Sequence, residues 1–207
     1  PASLCGVVGL KATWGRISTA GSAPLHWSIG SVGPITSTAH DAAIAYSYLA
    51  GPDKRQSFTQ DQPAVDLKYF ENTNLEGIKL GIFNKWFNHA SEDVVKCCEQ
   101  MLNSFISQGA EVKEIEIPHL DEIRVSHAVT IATEMFTSLK KFLSPFRQPF
   151  GLDALINLTL AKHFSGSDYV KAQRVRARLI SNLEHIFQDV DAIVTPSTAC
   201  TAPPIHA

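Results

Sequence analysis

The sequence predicts an α/β fold, a mixed and largely parallel central sheet flanked by helices. Three observations predict it. Residues 78–83 form a β-like run, residues 91–108 repeat apolar side chains at helical spacing, and residues 111–117 form a second β-like run. Strand, helix and strand at this spacing make a βαβ unit, which implies a parallel pair with a right-handed crossover. A third short apolar run, residues 190–194, follows another long helical stretch and ends at Thr195 and Pro196.

The elements follow in chain order. Residues 1–34 are rich in glycine and small residues and keep no period for long. Such a segment is expected to pack beneath a site rather than hang as a linker. Thr38 and Asp41 form a capping box that opens a helix through residue 49, and Gly51 and Pro52 stop it. Asp41 reads as a cap rather than a catalytic acid. Residues 53–74 are polar and aperiodic and read as a surface loop, with Tyr69 and Phe70 pinning its end.

Ser91 is an N-cap candidate, and Glu92 and Asp93 suit the first turn of a helix. Val94, Cys98, Met101, Leu102, Phe105 and Ile106 share one face of that helix, so Cys98 is expected to pack in the core. A long helix is expected over residues 120–143, with Ile123, His127, Ile131, Glu134, Met135 and Leu139 along one face. His127 and Glu134 could point at a substrate cavity. The plainer reading is a satisfied core histidine and a solvated glutamate. Residues 144–150 read as a loop, and 153–164 as a helix. Asn157 opens a formal glycosylation sequon, dismissed because it lies inside that helix.

Ser165 and Asp168 cap the last long helix, residues 169–187. That helix carries Lys171, Arg174, Arg176 and Arg178. They could form an anion or lipid-headgroup patch. The plainer reading is a solvated face with ion pairs to nearby carboxylates. Thr195 and Thr198 lie just past the carboxyl end of the final strand, where ligands tend to sit in α/β sheets.

Bulk properties narrow the function. The 207 residues allow one sizeable core or most of a larger one. With 44% hydrophobic and 18% charged residues the composition is that of a soluble globular protein. A net charge of −2 gives no electrostatic case for nucleic acid. Four cysteines are too sparse for a disulfide framework, and Cys97 beside Cys98 suits neither a zinc knuckle nor a redox pair. A reducing, intracellular compartment is therefore expected, either cytoplasmic or at an internal membrane. The eight histidines lack metal-ligand spacing, and there is no phosphate loop and no G-x-S-x-G elbow. Lys11 stands among apolar and small residues, where a desolvated lysine could act as a base.

The first segment also carries a resemblance. Pro1 and Ala2, Cys5 and Gly6, Gly9 to Lys11, Thr13, Gly15 and Arg16, then Pro24 and Leu25, then Gly33 and Pro34 stand in order and at fixed spacing. This pattern resembles the amidase signature family, P-A-x-x-C-G-x-x-G-x-K-P-T-x-G-R followed by P-L and G-P. Ala12 departs from it where the family has proline, which removes one backbone restraint after Lys11. Gly51 and Asp53, Gln173 to Arg176, and the run from Asp189 to Pro196 with Ala202 to Ile205 extend the likeness to both ends of the chain. In the middle, Lys85 to Asn88, Asp93, Cys97 and Cys98, and His127 with Thr130, Ile131 and Glu134 look most like plant-type fatty acid amide hydrolases.

The resemblance implies a serine amidohydrolase with a serine–serine–lysine triad and no metal or organic cofactor. In the family the nucleophilic serine precedes the position of Pro1, and the bridging serine and lysine lie further upstream. No catalytic residue is therefore assigned here. The chain is expected to be the C-terminal part of a single amidase domain, inactive alone, with Lys11 in a structural role. It would supply the floor beneath the nucleophile and the walls of an acyl pocket, for which the candidates are Ile131, Met135, Phe136, Thr195 and Thr198. The expected partner is a small, lipid-like amide, with peripheral membrane contact and a homodimer both left open. Alternatives are a small-amide amidase, an amidotransferase A-type subunit, or a non-catalytic binding module.

Overall fold

The computed structural model describes residues 1–68, 70–143 and 150–205. The expected pin at Tyr69 and most of the 144–150 loop lie outside these residues. The chain divides into two compact units, one of residues 1–18, 32–117 and 184–207, the other of 19–31 and 118–183.

The first unit holds the sheet. Strand β1 (Val8–Gly9) pairs antiparallel with β2 (Ile35–Thr36). Gly33 brings these segments together, because a Cβ there would stand 1.9 Å from the Leu10 carbonyl oxygen, a position only glycine can occupy. Helix α1 (Ala39–Leu49) opens on the expected box. The Asp41 N–H donates to Thr38 Oγ1 at 3.0 Å, and Thr38 Oγ1 donates to Asp41 Oδ2 at 2.8 Å.

Strand β3 (Lys79–Ile82) leads into a short helix α2 (Asn84–Phe87), then α3 (Glu92–Ser107) and β4 (Glu111–Glu114). The predicted parallel pairing is present, with Leu80 opposite Val112, and β5 (Ala192–Ile193) flanks β3 on the other side, also parallel. The strand order is β4-β3-β5. Gly81 sits mid-strand with the side chains of Ile115 and Val190 closing over it. Leu80, Ile82, Phe83, Phe87, Ile117 and Val190 form the core here.

Two expectations change. Helix α3 forms, but none of its residues is fully buried; Cys98 is half-buried, and burial pushes its thiol pKa up. Met101 and Ile106 remain 45% and 46% exposed, so the stripe read from spacing meets the sheet only in part. The first segment is also less covered than expected. Of Pro1–Gly9 only Ala2 and Val8 are even half-buried, whereas Ala12, Gly15 and Ile17 further along the segment are buried. Lys11 is exposed and donates to the Ala12 carbonyl, so it is no desolvated base.

Among its described residues the 53–74 stretch has neither helix nor strand, as read, but its first half is tied down. Phe58 stacks on Trp14 with centroids 4.5 Å apart, and Arg16 donates to Gln62 and to the Pro63 carbonyl. Asp53 accepts from Ser18 Oγ at 2.6 Å and from Arg55.

The second unit is helical. Helix α4 (Leu120–Leu139) ends in a 3-10 turn, Lys140–Phe142, and α5 (Leu152–Ala161) packs against α4. Leu158 on α5 is 1% exposed. Helix α6 (Gly166–Ile186) begins at the predicted cap, where the Asp168 N–H donates to Ser165 Oγ, and Ser165 N–H and Oγ–H donate to Asp168 Oδ2.

Candidate functional site

The buried face of α4 is not the apolar stripe that spacing suggests. Ser126, Val129, Thr130, Ala132, Glu134 and Met135 are buried, whereas His127 is exposed. Hydroxyl groups are inexpensive to bury on a helix when they bond back to its own carbonyls. Ser126 Oγ donates to the Ile123 carbonyl at 2.9 Å, and Thr130 Oγ1 to that of Ser126 at 2.8 Å. The face can therefore carry polar residues inward.

Glu134 uses that opening. It is 4% exposed, not solvated, and its carboxylate accepts from the Ser28 backbone N–H at 3.1 Å, from Ser28 Oγ, and from the Tyr169 hydroxyl at 2.9 Å. Burial, and then the hydrogen bond to Glu134, push the Tyr169 phenol pKa up. Arg176 approaches Ser28 from α6, donating to its Oγ and to its carbonyl oxygen, both at 2.9 Å. Gln173 Nε2 donates to Thr130 Oγ1. His26 lies nearby; burial pushes its imidazole pKa down, Glu134 pulls it up, and His127 lowers it further.

Beside this knot lies a cavity of about 290 Å³ lined by Ile29, Ile123, Ser126, His127, Thr130, Arg176, Leu179 and Ile180. Its walls are half aliphatic (Ile29, Ile123, Leu179, Ile180) and half polar (Ser126, His127, Thr130, Arg176), an apolar surface with a few polar groups converging on it, as small-molecule sites often have. The basic residues of α6 divide. Arg178 pairs with Glu122 at 3.5 Å and Lys171 with Asp168 at 3.8 Å, the solvated ion pairs of the plainer reading, while Arg176 turns inward to Ser28.

The first unit has its own small pocket, about 180 Å³, lined by Trp86, His89, Ala90 and residues 195–199. It lies beyond the carboxyl ends of β3 and β5. Thr195 and Thr198 line it, without Ile131, Met135 or Phe136, and Ala199 is fixed by accepting from the Ser91 N–H at 2.7 Å.

The family model for amidases matches residues 1–207, the whole chain. The chain belongs to the amidase signature family. It is 38% identical over 212 residues to the fatty acid amide hydrolase of Medicago truncatula, covering 99% of this chain and 35% of that protein. The A-type subunit of glutamyl-tRNA(Gln) amidotransferase from Microcystis aeruginosa is 29% identical over 98% of the chain and 47% of its own length. Among solved structures, the corresponding amidotransferase subunit from Thermotoga maritima superposes with a TM-score of 0.84 at 27% identity, over 99% of this chain and 45% of that one. The chain thus spans about a third of the plant enzyme it matches.

Within this amidase chain, Ile131 and Phe136 are half-buried and Met135 is buried at 9% exposure, all on α4, but none of them lines the cavity. The cavity instead uses the residues of α4 one turn earlier, with Ile29, Leu179 and Ile180. Helical spacing could have nominated Leu179 and Ile180. Nothing local nominates Ile29, which lies in an aperiodic segment far from both helices in sequence.

Proposed function

We propose that this chain is the acyl-binding part of an amide hydrolase acting on fatty acid amides such as N-acylethanolamines. The observation that carries the reading is a cavity walled in part by Ile29, Ile123, Leu179 and Ile180, in a chain that matches a plant fatty acid amide hydrolase over 99% of its length. The reactive groups belong to sequence preceding Pro1. There a lysine, kept neutral by desolvation, takes a proton through a bridging serine from the nucleophilic serine. The serine oxygen attacks the amide carbonyl, and backbone N–H groups hold the oxyanion. The leaving amine is protonated, and water then releases the acid. This chain's share is to hold the apolar chain in place and exclude water from it, using Ile29 with the aliphatic residues Ile123, Leu179 and Ile180 of α4 and α6. Peripheral contact with a lipid surface fits the same reading, because Leu152, Ile156 and Leu160 recur every fourth residue on α5 and are 75%, 59% and 51% exposed.

The second reading, an amidotransferase A-type subunit, draws on the 29% identity to the Microcystis protein. Kinetics on the protein with its preceding sequence restored separate the two. A long-chain N-acylethanolamine should be hydrolysed with a kcat/KM at least ~100-fold above that for glutamine, since each buried methylene contributes about fourfold. A preference for glutamine or another short amide overturns the first reading in favour of the second.

A further inference from the structure

Ser28 has three polar groups, and all three are held. Its N–H and hydroxyl donate to Glu134 on α4, while its hydroxyl and carbonyl oxygens accept from Arg176 on α6. Residues before it reach solvent: Leu25 is 41% exposed and Trp27 is 66% exposed. The next residue, Ile29, stands in the wall of the cavity, and the Gly30 N–H closes a tight turn onto the His26 carbonyl at 2.9 Å. A Cβ at Gly30 would stand 2.4 Å from that carbonyl, so glycine alone fits this turn.

We propose that Glu134 and Arg176 are positioning residues that grip Ser28 from two helices, fix Ile29 in the cavity wall, and so set the length of apolar chain the cavity accepts. Burying a carboxylate is costly, and apolar packing would hold a surface turn with less penalty. What the charged grip adds is direction. Hydrogen bonds to the N–H, the hydroxyl and the carbonyl of one residue leave it a single orientation, and its neighbour's side chain inherits that orientation. Released from the grip, the turn moves outward and the cavity lengthens by the space Ile29 occupied. The inference rests on reading the cavity as an acyl-chain site, but its test does not require turnover.

The test is a binding ladder on the full protein, with straight-chain alkanoates from octanoate to palmitate, read by calorimetry. In the unaltered protein affinity should rise about fourfold per methylene and then level off at a definite length. Glu134→Gln and Ile29→Ala should each move that length upward by about two methylenes, a gain of ~15-fold for the longer acids. The double variant should move it no further, because both changes act through the same side chain. Should Glu134→Gln fail to fold, Ser28→Ala, which leaves both backbone grips in place, should show the same shift at reduced size.

A uniform loss of affinity at all lengths would reduce the grip to scaffolding and overturn the proposal. So would an unmoved ladder in Ile29→Ala, additive shifts in the double variant, or no binding of any alkanoate. A protein that shows the shifted ladder yet hydrolyses no fatty acid amide refutes the functional reading alone. One that hydrolyses such amides with an unmoved ladder refutes only the positioning role.

Discussion

Thr133 shows how precisely the buried face of α4 is balanced. Ser126 and Thr130 return their protons to the helix, but Thr133 Oγ1 is buried without a partner, alone in this among the described side chains. An unsatisfied buried hydroxyl costs about 1–3 kcal/mol. Thr133→Val keeps the shape and removes the polar atom, so thermal unfolding should shift upward by about 2–4 °C for each kcal/mol recovered; a lower midpoint would mean that Thr133 finds a partner in the folded protein. Glu134, one residue on, marks the limit of reading from sequence. Its position on the helix was legible, and so was the choice between cavity and solvent. Its burial was not, because the partners that satisfy it, Ser28 and Tyr169, lie 106 and 35 residues away. His127 divides its two readings: it is exposed, so it is not the satisfied core histidine of the plainer one, but it does line the cavity.

At the scale of elements, local chemistry carried far. The capping boxes at Thr38 and Ser165 and the stop at Gly51 follow from residues within a few positions of one another, and the parallel β3–β4 pair from the strand–helix–strand order of residues 79–114. The 53–74 loop was legible as a loop but not as an anchored one, since its ties reach back to Trp14, Arg16 and Ser18. Asp53 is the knot of that anchoring. Its hydrogen bonds from Arg55 first, then Ser18, hold its carboxyl well below the ordinary value of 3.8. A folded-state pKa below the unfolded one stabilises the fold above the unfolded value, and that stabilisation is lost as the pH falls through the carboxylate range. Asp53→Asn should therefore lower the thermal midpoint at pH 7, and the gap to the parent should narrow below about pH 4. A gap that stays constant down to low pH would show that the Asp53 charge contributes nothing.

At the scale of the molecule, the α/β class and the family were both legible, because the fixed positions of the first segment and the tail are local strings. The candidate pocket was legible only as helix α4. Its other walls come from an aperiodic turn and from α6, and no periodicity in one segment can specify which residues of another it will meet. Among the described helices none is long and apolar enough to cross a membrane. The central claim is that these residues hold the substrate while others attack it. Labelling the full protein with a serine-directed fluorophosphonate and mapping the modified peptide tests it most directly. The account predicts a single modified serine in sequence preceding Pro1. A modified serine within residues 1–207, with loss of amide hydrolysis, would contradict it.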